Sequence, residues 1–208
     1  MLMPESVSGF LVEKDKLSFA TIVSEGELFK EDIEIKITTQ GDELVISPNV
    51  DYGYGPELFI GNFLNNGFDQ LLYSVGSGGS GGYSFYQLFS LKGGQTKTLF
   101  DSQDFSPVIS ASHQIDDVIK IDYQGKLLYL DSSNSGCKNK DDCSLQISSV
   151  NAILPYYNIE LGRYYLQVLQ RIYGGYQANT FGYITTLLEV NSDGVHTVNI
   201  GTLRNFEY

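Results

Sequence analysis

From Asp32 the chain reads DIEIKITTQGDELVISP: Ile33, Ile35 and Ile37 alternate with polar residues, Gln40-Gly41 interrupts, and Leu44 and Ile46 resume the alternation. Period-two alternation on either side of a turn signal marks a β-hairpin with one buried face. VIKIDYQGKLLYL repeats the plan, with Ile119 and Ile121 before Gln124-Gly125 and Leu128 and Leu130 after it. A third hairpin is predicted in YITTLLEVNSDGVHTVNI, turning at Asp193-Gly194, a dipeptide that accepts the positive φ angles of a type I′ turn. No segment offers a capped amphipathic helix of about 12 residues or more. The best candidate, YYNIELGRYYLQVLQRIY, is interrupted by Gly162 and rich in Tyr and branched residues, so it reads mostly as strand.

Composition strengthens that reading. The chain has 208 residues with 15 Tyr, 12 Phe and no Trp, and flat aromatic rings pack well on a pleated sheet. At 42% hydrophobic and 18% charged it can bury a core, and a chain of this length hides about 70% of its unfolded surface. A single all-β domain spanning 1–208 is expected. The formal charge of −12 repels phosphate backbones and no basic run offsets it, so nucleic acid is excluded as a partner, while a cationic protein is compatible. No window reaches the ~18 apolar residues of a transmembrane helix. The start MLMPESVSGF has neither the basic nor the apolar region of a secretory signal, although a chain trimmed at its mature end would read the same.

The stretch VGSGGSGGY (75–83) satisfies G-x-G-x-x-G through Gly76, Gly78 and Gly81, and Asp101 stands where a ribose-binding acid would belong. A dinucleotide site needs that loop to open a helix. The chain instead continues into the aromatic-rich YSFYQLFSLKGG, in which Tyr83, Phe85, Phe89 and Leu91 share one strand parity. A glycine-rich connection between strands is therefore expected, and no phosphate cradle. The segments 71–94 and 166–194 share one plan of apolar strand, Gly-Gly turn with a far-side Tyr, aromatic strand and Gly-ended turn.

At 61–75, GNFLNNGFDQLLYSV resembles the calcium loop of FG-GAP or VCBS-type repeats, the units of integrin-like β-propellers. QRIYGGYQANTFGYITTLLEVNSDG and SGGSGGY also resemble segments of bacterial VCBS repeat-containing proteins. The resemblance implies repeat-like units near 58–100 and 155–200, a propeller-like arrangement of antiparallel hairpins, and a place in the bacterial cell envelope or exterior. A β-sandwich is the alternative arrangement and the cytoplasm the alternative location. The loop departs from the pattern where it wants carboxylates: Asn62, Leu64, Asn66 and Gln70 stand there. Calcium affinity rises with charged oxygen ligands, so no metal and no cofactor are expected.

Catalytic chemistry is sparse. The histidines, His113 and His196, lie in contexts typical of strand ends and hairpin strands, and the adjacent pairs Asp116-Asp117 and Asp141-Asp142 read as solvated turns. Cys137 and Cys143 bracket a polar loop in SGCKNKDDCS; a small disulfide and free thiols both fit, and zinc would need further ligands. The candidate binding residues are the glycine-flanked or clustered loop tyrosines Tyr52, Tyr54, Tyr156, Tyr157, Tyr173 and Tyr176. Tyrosine offers a flat face and a hydroxyl at low entropic cost, suited to a sugar ring or a protein surface. The expected function is a non-catalytic binding or scaffold module for a glycan or protein. An acidic intracellular inhibitor of a basic partner is the alternative, and a hydrolase comes third.

Overall fold

The computed structural model describes residues 8–13, 16–39, 42–79, 81–92, 95–114, 117–133, 144–175 and 179–204. They form fifteen β-strands, and every pairing between them is antiparallel. Cys137, Cys143, Asp116, Asp141, Asp142 and Tyr176 lie outside the described residues. Among the described residues no helix is long and apolar enough to cross a membrane.

The first sheet has eight strands. They are β1 (Ser8–Glu13), β2 (Lys16–Glu25), β3 (Phe29–Thr39), β4 (Asp42–Ile46), β5 (Gly53–Gly61), β6 (Gln70–Gly76), β7 (Ser84–Lys92) and β8 (Gln95–Asp101). The long β3 shares one edge between two neighbours: Ile35–Thr39 pair with β4, while Phe29 and Lys30 pair with Tyr54 and Gly53 of β5. The second sheet has three strands, with β10 (Val118–Tyr123) between β9 (Ile109–His113) and β11 (Lys126–Asp131). The last sheet runs in chain order through β12 (Leu145–Asn158), β13 (Arg163–Gly174), β14 (Thr180–Asn191) and β15 (Gly194–Arg204).

Alternation explains where the core lies. Ile33, Ile35 and Ile37 of β3 are buried with Ile46 of β4, and Leu71, Tyr73 and Val75 of β6 meet them in one cluster. The intervening Leu72 points to the other side, where it joins Leu88, Phe100, Val150, Leu166 and Leu188. β6 is thus buried on both faces, and its Leu71, Leu72 and Tyr73 are consecutive buried positions. A third cluster joins Ile119, Ile121 and Leu130 to Ile172, Phe181 and Ile184. Full burial of each such aliphatic side chain contributes about 1.5–3 kcal/mol.

The β10–β11 hairpin turns at Gln124-Gly125, whose φ angles of 53° and 87° are those of a type I′ turn. The β14–β15 hairpin differs from expectation by one residue. Asn191 pairs with Gly194, so Ser192-Asp193 form the turn and Gly194 opens β15. Neither turn residue has a positive φ, whereas Gly194 has φ 146°. Glycine here closes a turn of the ordinary hand, a position that also favours it.

Candidate functional site

The glycine-rich stretch is the tight connection between β6 and β7. Ser77 N donates to Tyr83 O at 2.8 Å and Gly82 N to Gly79 O at 3.0 Å. Gly78 and Gly82 have φ 73° and 59°, which residues with a Cβ adopt only at a cost. A strand, not a helix, comes next, so no helix N-terminus faces the loop. Asp101 is used within the protein: its Oδ2 accepts from Asn49 Nδ2 at 2.7 Å and Gln87 Nε2 at 2.9 Å, and its Oδ1 accepts from Gln103 N at 2.9 Å.

A bulge in β12 faces this loop. The register with β13 shifts between Ile147 and Val150 and again between Val150 and Ala152. As a result Val150 and Asn151, adjacent in sequence, are both buried. Ser148 repairs the interrupted ladder by accepting from Arg171 N at 2.8 Å through its hydroxyl, which in turn donates to Ser149 O at 2.6 Å. Asn151 Nδ2 donates to Gly82 O at 2.8 Å, tying the glycine loop to the last sheet. Beside it the Tyr83 hydroxyl lies near that of Tyr173, which donates to Gln146 Oε1 at 2.8 Å. Burial first, then Tyr173, holds the Tyr83 phenol above its ordinary pKa against the opposing pull of Arg171.

These elements enclose a cleft of about 480 Å³. One wall is Tyr83 with the start of β7 (Ser84, Phe85) and the segment 102–107 after β8; the other is the β12 bulge, with Gln170 of β13. Among the described residues no charged side chain lines it. Aromatic residues at its edge are Tyr83 and Phe105, and Ser84, Ser106 and Ser149 bring hydroxyls; the Phe85 side chain packs into the first core cluster.

The predicted tyrosines do not converge. Tyr52 and Tyr54 are half-exposed and group with Phe29, the Tyr54 ring meeting Phe29 edge-on at 5.1 Å. Tyr54 and the cleft residue Ser84 both pair with Gly76, so this aromatic group and the cleft share one end of the sheet, about 10 Å apart across two strand spacings. Tyr173 is buried at that same end, behind Tyr83. Tyr156 and Tyr157 lie at the β12–β13 turn; Tyr157 packs on Tyr164 at 4.9 Å, and Tyr164 on Phe59 at 5.0 Å near the far end of β5.

The loop that resembles a calcium site is held by other groups. Gln70 Oε1 accepts from the Phe63 and Leu64 amides at 2.6 and 2.8 Å, and its Nε2 donates to Phe68 O at 2.7 Å. Buried Arg163 donates to Phe63 O and Val190 O, and pairs with Glu189 at 2.7 Å. No group of three or more His, Cys, Asp or Glu able to hold a metal occurs among the described residues. His113 ends β9 and packs edge-on against Phe181 at 5.9 Å, and exposed His196 contacts Asp193 at 3.3 Å.

Residues 109–202 match the family model described as the YybI C-terminal domain. The chain is also 25% identical over 154 residues to a Bacillus subtilis (strain 168) protein named "Uncharacterized protein YybI". That alignment covers 67% of this chain, which spans 59% of the relative's length. No solved structure matches the chain. The family match begins at the first residue of β9 and ends within β15, so it takes in the two smaller sheets and leaves β1–β8 outside. The cleft lies on that boundary, with Tyr83–Phe85 on one side and Ile147–Val150 on the other.

Sequence reasoning missed Ser148, Asn151, Gln170 and Arg171. The signal it could have used is the polar SSVN inside an otherwise apolar strand, an interruption typical of a bulge.

Proposed function

We propose that the protein is a non-catalytic binding module that recognises a glycan or a protein at the end of the sheet carrying Tyr52, Tyr54 and the adjoining cleft. The observation that carries this reading is the pairing of an exposed aromatic group with a neutral cleft at one sheet end. Aromatic faces and uncharged hydrogen-bonding groups bind without chemistry. The four-strand meanders β5–β8 and β12–β15, each running in chain order, support a propeller-like arrangement of the FG-GAP or VCBS kind, although β5–β8 continue one sheet with β1–β4. The cell envelope or exterior is the setting that the resemblance suggests.

One observation favours the second reading, an inhibitor of a basic partner. Glu25, Asp32, Glu34 and Asp51 line a groove of about 250 Å³ beside the β2–β3 register shift. Asp32 has φ 49° there, and the neighbouring Ile33 N donates to Asp51 O at 2.8 Å. Such a surface attracts cations, and its binding weakens steeply with salt.

Capture by bacterial wall material and by cytosolic extract, each at low and high salt, separates the two. Salt-resistant retention on the wall supports the binding module. A basic cytosolic protein released by salt, with no wall retention, replaces it with the inhibitor.

A further inference from the structure

The lining of the cleft sets its ligand class. We infer that the cleft between β7 and β12 is a subsite for a neutral sugar residue, with the Gln170 carboxamide bonding its hydroxyls. The inference rests on the binding-module reading and names the ligand of that site.

An ion entering the cleft would lose hydration without meeting a counter-charge from the described lining, and the net charge of −12 further disfavours anions. A purely apolar ligand would bury the hydroxyls of Ser84, Ser106 and Ser149 without partners. A polyhydroxylated ring meets both demands: its hydroxyls donate and accept, and its C–H faces can lie on an aromatic wall such as Phe105. The volume of about 480 Å³ falls within the range of about 300–1,000 Å³ usual for small-ligand sites.

Gln170 gives the site its polar point. It is 4% exposed, its Nε2 donates to Ser148 O at 3.2 Å, and its Oε1 has no hydrogen-bond partner among the described residues. Buried amide oxygens are nearly always bonded, so an unused one bordering a cleft is an acceptor for a ligand that enters it. Oε1 is shielded from solvent as the side chain stands, but the terminal torsion of a glutamine is soft, and a ligand hydroxyl would draw it toward the cleft at the expense of the long bond to Ser148 O. The bulge that places Ser148, Ser149 and Val150 opposite β7 opens the space in front of it.

The test is a titration of the ¹⁵N-labelled protein, followed by amide chemical shifts, with glucose, galactose, mannose, N-acetylglucosamine and their disaccharides. Glucuronic acid and glucosamine serve as charged controls. At least one neutral sugar is expected to shift the amides of Ser84, Phe85, Ser106, Ser149 and Gln170 saturably. Gln170→Leu is expected to weaken that binding about tenfold or more. Phe105→Ala is expected to weaken it as well, and Tyr156→Ala/Tyr157→Ala, at the β12–β13 turn, to leave it unchanged. Shifts elsewhere only, no response to any neutral sugar, stronger binding of the charged controls, or full affinity in Gln170→Leu would each overturn the inference. The binding-module reading fails separately: wall retention unaffected by Tyr52→Ala/Tyr54→Ala removes the tyrosine face and leaves the sugar subsite standing.

Discussion

The ring of Tyr54 lies so close to the backbone of Gly78 that a Cβ added there would stand 2.0 Å from Tyr54 Cε2. Gly78 also has φ 73°. Gly78→Ala is therefore expected to cost about 1–2 kcal/mol from the backbone alone and to push the Tyr54 ring aside. Adding Tyr54→Ala should relieve only the steric part. Gly79→Ala, whose nearest new contact is Ser77 Oγ at 4.0 Å, should change stability by less than about 0.5 kcal/mol. Urea denaturation of these variants beside the wild type checks this, and equal losses at both glycines would contradict it.

Arg163 joins the 61–70 loop to the end of β14 through Phe63 O, Val190 O and Glu189. Arg163→Met keeps the length of the stem but leaves buried carbonyls without donors. A loss of about 2–4 kcal/mol is expected in denaturation. Arg163→Lys should recover little of it, because an ammonium cannot reproduce the spread of the guanidinium. Calcium should not raise the melting temperature, since the donors in that loop are amides already bonded to backbone.

Tyr73 is fully buried and donates to Val50 O at 3.0 Å. Burial, and secondarily the charge of Asp51, pushes its phenol well above the usual tyrosine value. The folded state therefore keeps a proton that the unfolded chain releases above pH ~10, and stability falls as pH rises beyond that point by up to about 1.4 kcal/mol per pH unit. Below it this contribution is constant. Tyr73→Phe should lose about 1–2 kcal/mol at pH 7 and show a shallower alkaline decline. Denaturation midpoints from about pH 8 to about pH 11.5 measure both, and identical alkaline slopes would contradict the assignment.

Asn151 is the bond between the bulge and the glycine loop. Asn151→Ala should cost about 1–2 kcal/mol and speed hydrogen exchange at the amides of Gly82 and Tyr83, leaving those of β10 and β11 protected. Uniform acceleration across the protein would show that the bond supports the whole fold and not this loop.

The strands were legible where one face is buried and the period is two. Ile33, Ile35 and Ile37 announce β3 because each is buried and its neighbours are more exposed. The site was much less legible, because bulges make it. Val150 with Asn151, and Ile172 with Tyr173, are adjacent buried pairs at register shifts, which period-two reasoning assigns to opposite faces. For the same reason Tyr173 reads as a loop tyrosine although it is buried behind Tyr83. Asp193-Gly194 misled by one position because glycine suits both the inside of a type I′ turn and the end of a type I turn. Gln170 carries no local signal; its significance comes from the partners it lacks in three dimensions.

The most direct measurement of the binding claim is retention of three proteins on isolated bacterial wall material at high salt: the wild type, Tyr52→Ala/Tyr54→Ala and Tyr156→Ala/Tyr157→Ala. The wild type and the second variant are expected to be retained alike, while the first loses about tenfold in affinity with its fold intact. Equal retention of all three, or no retention of the wild type, would contradict it.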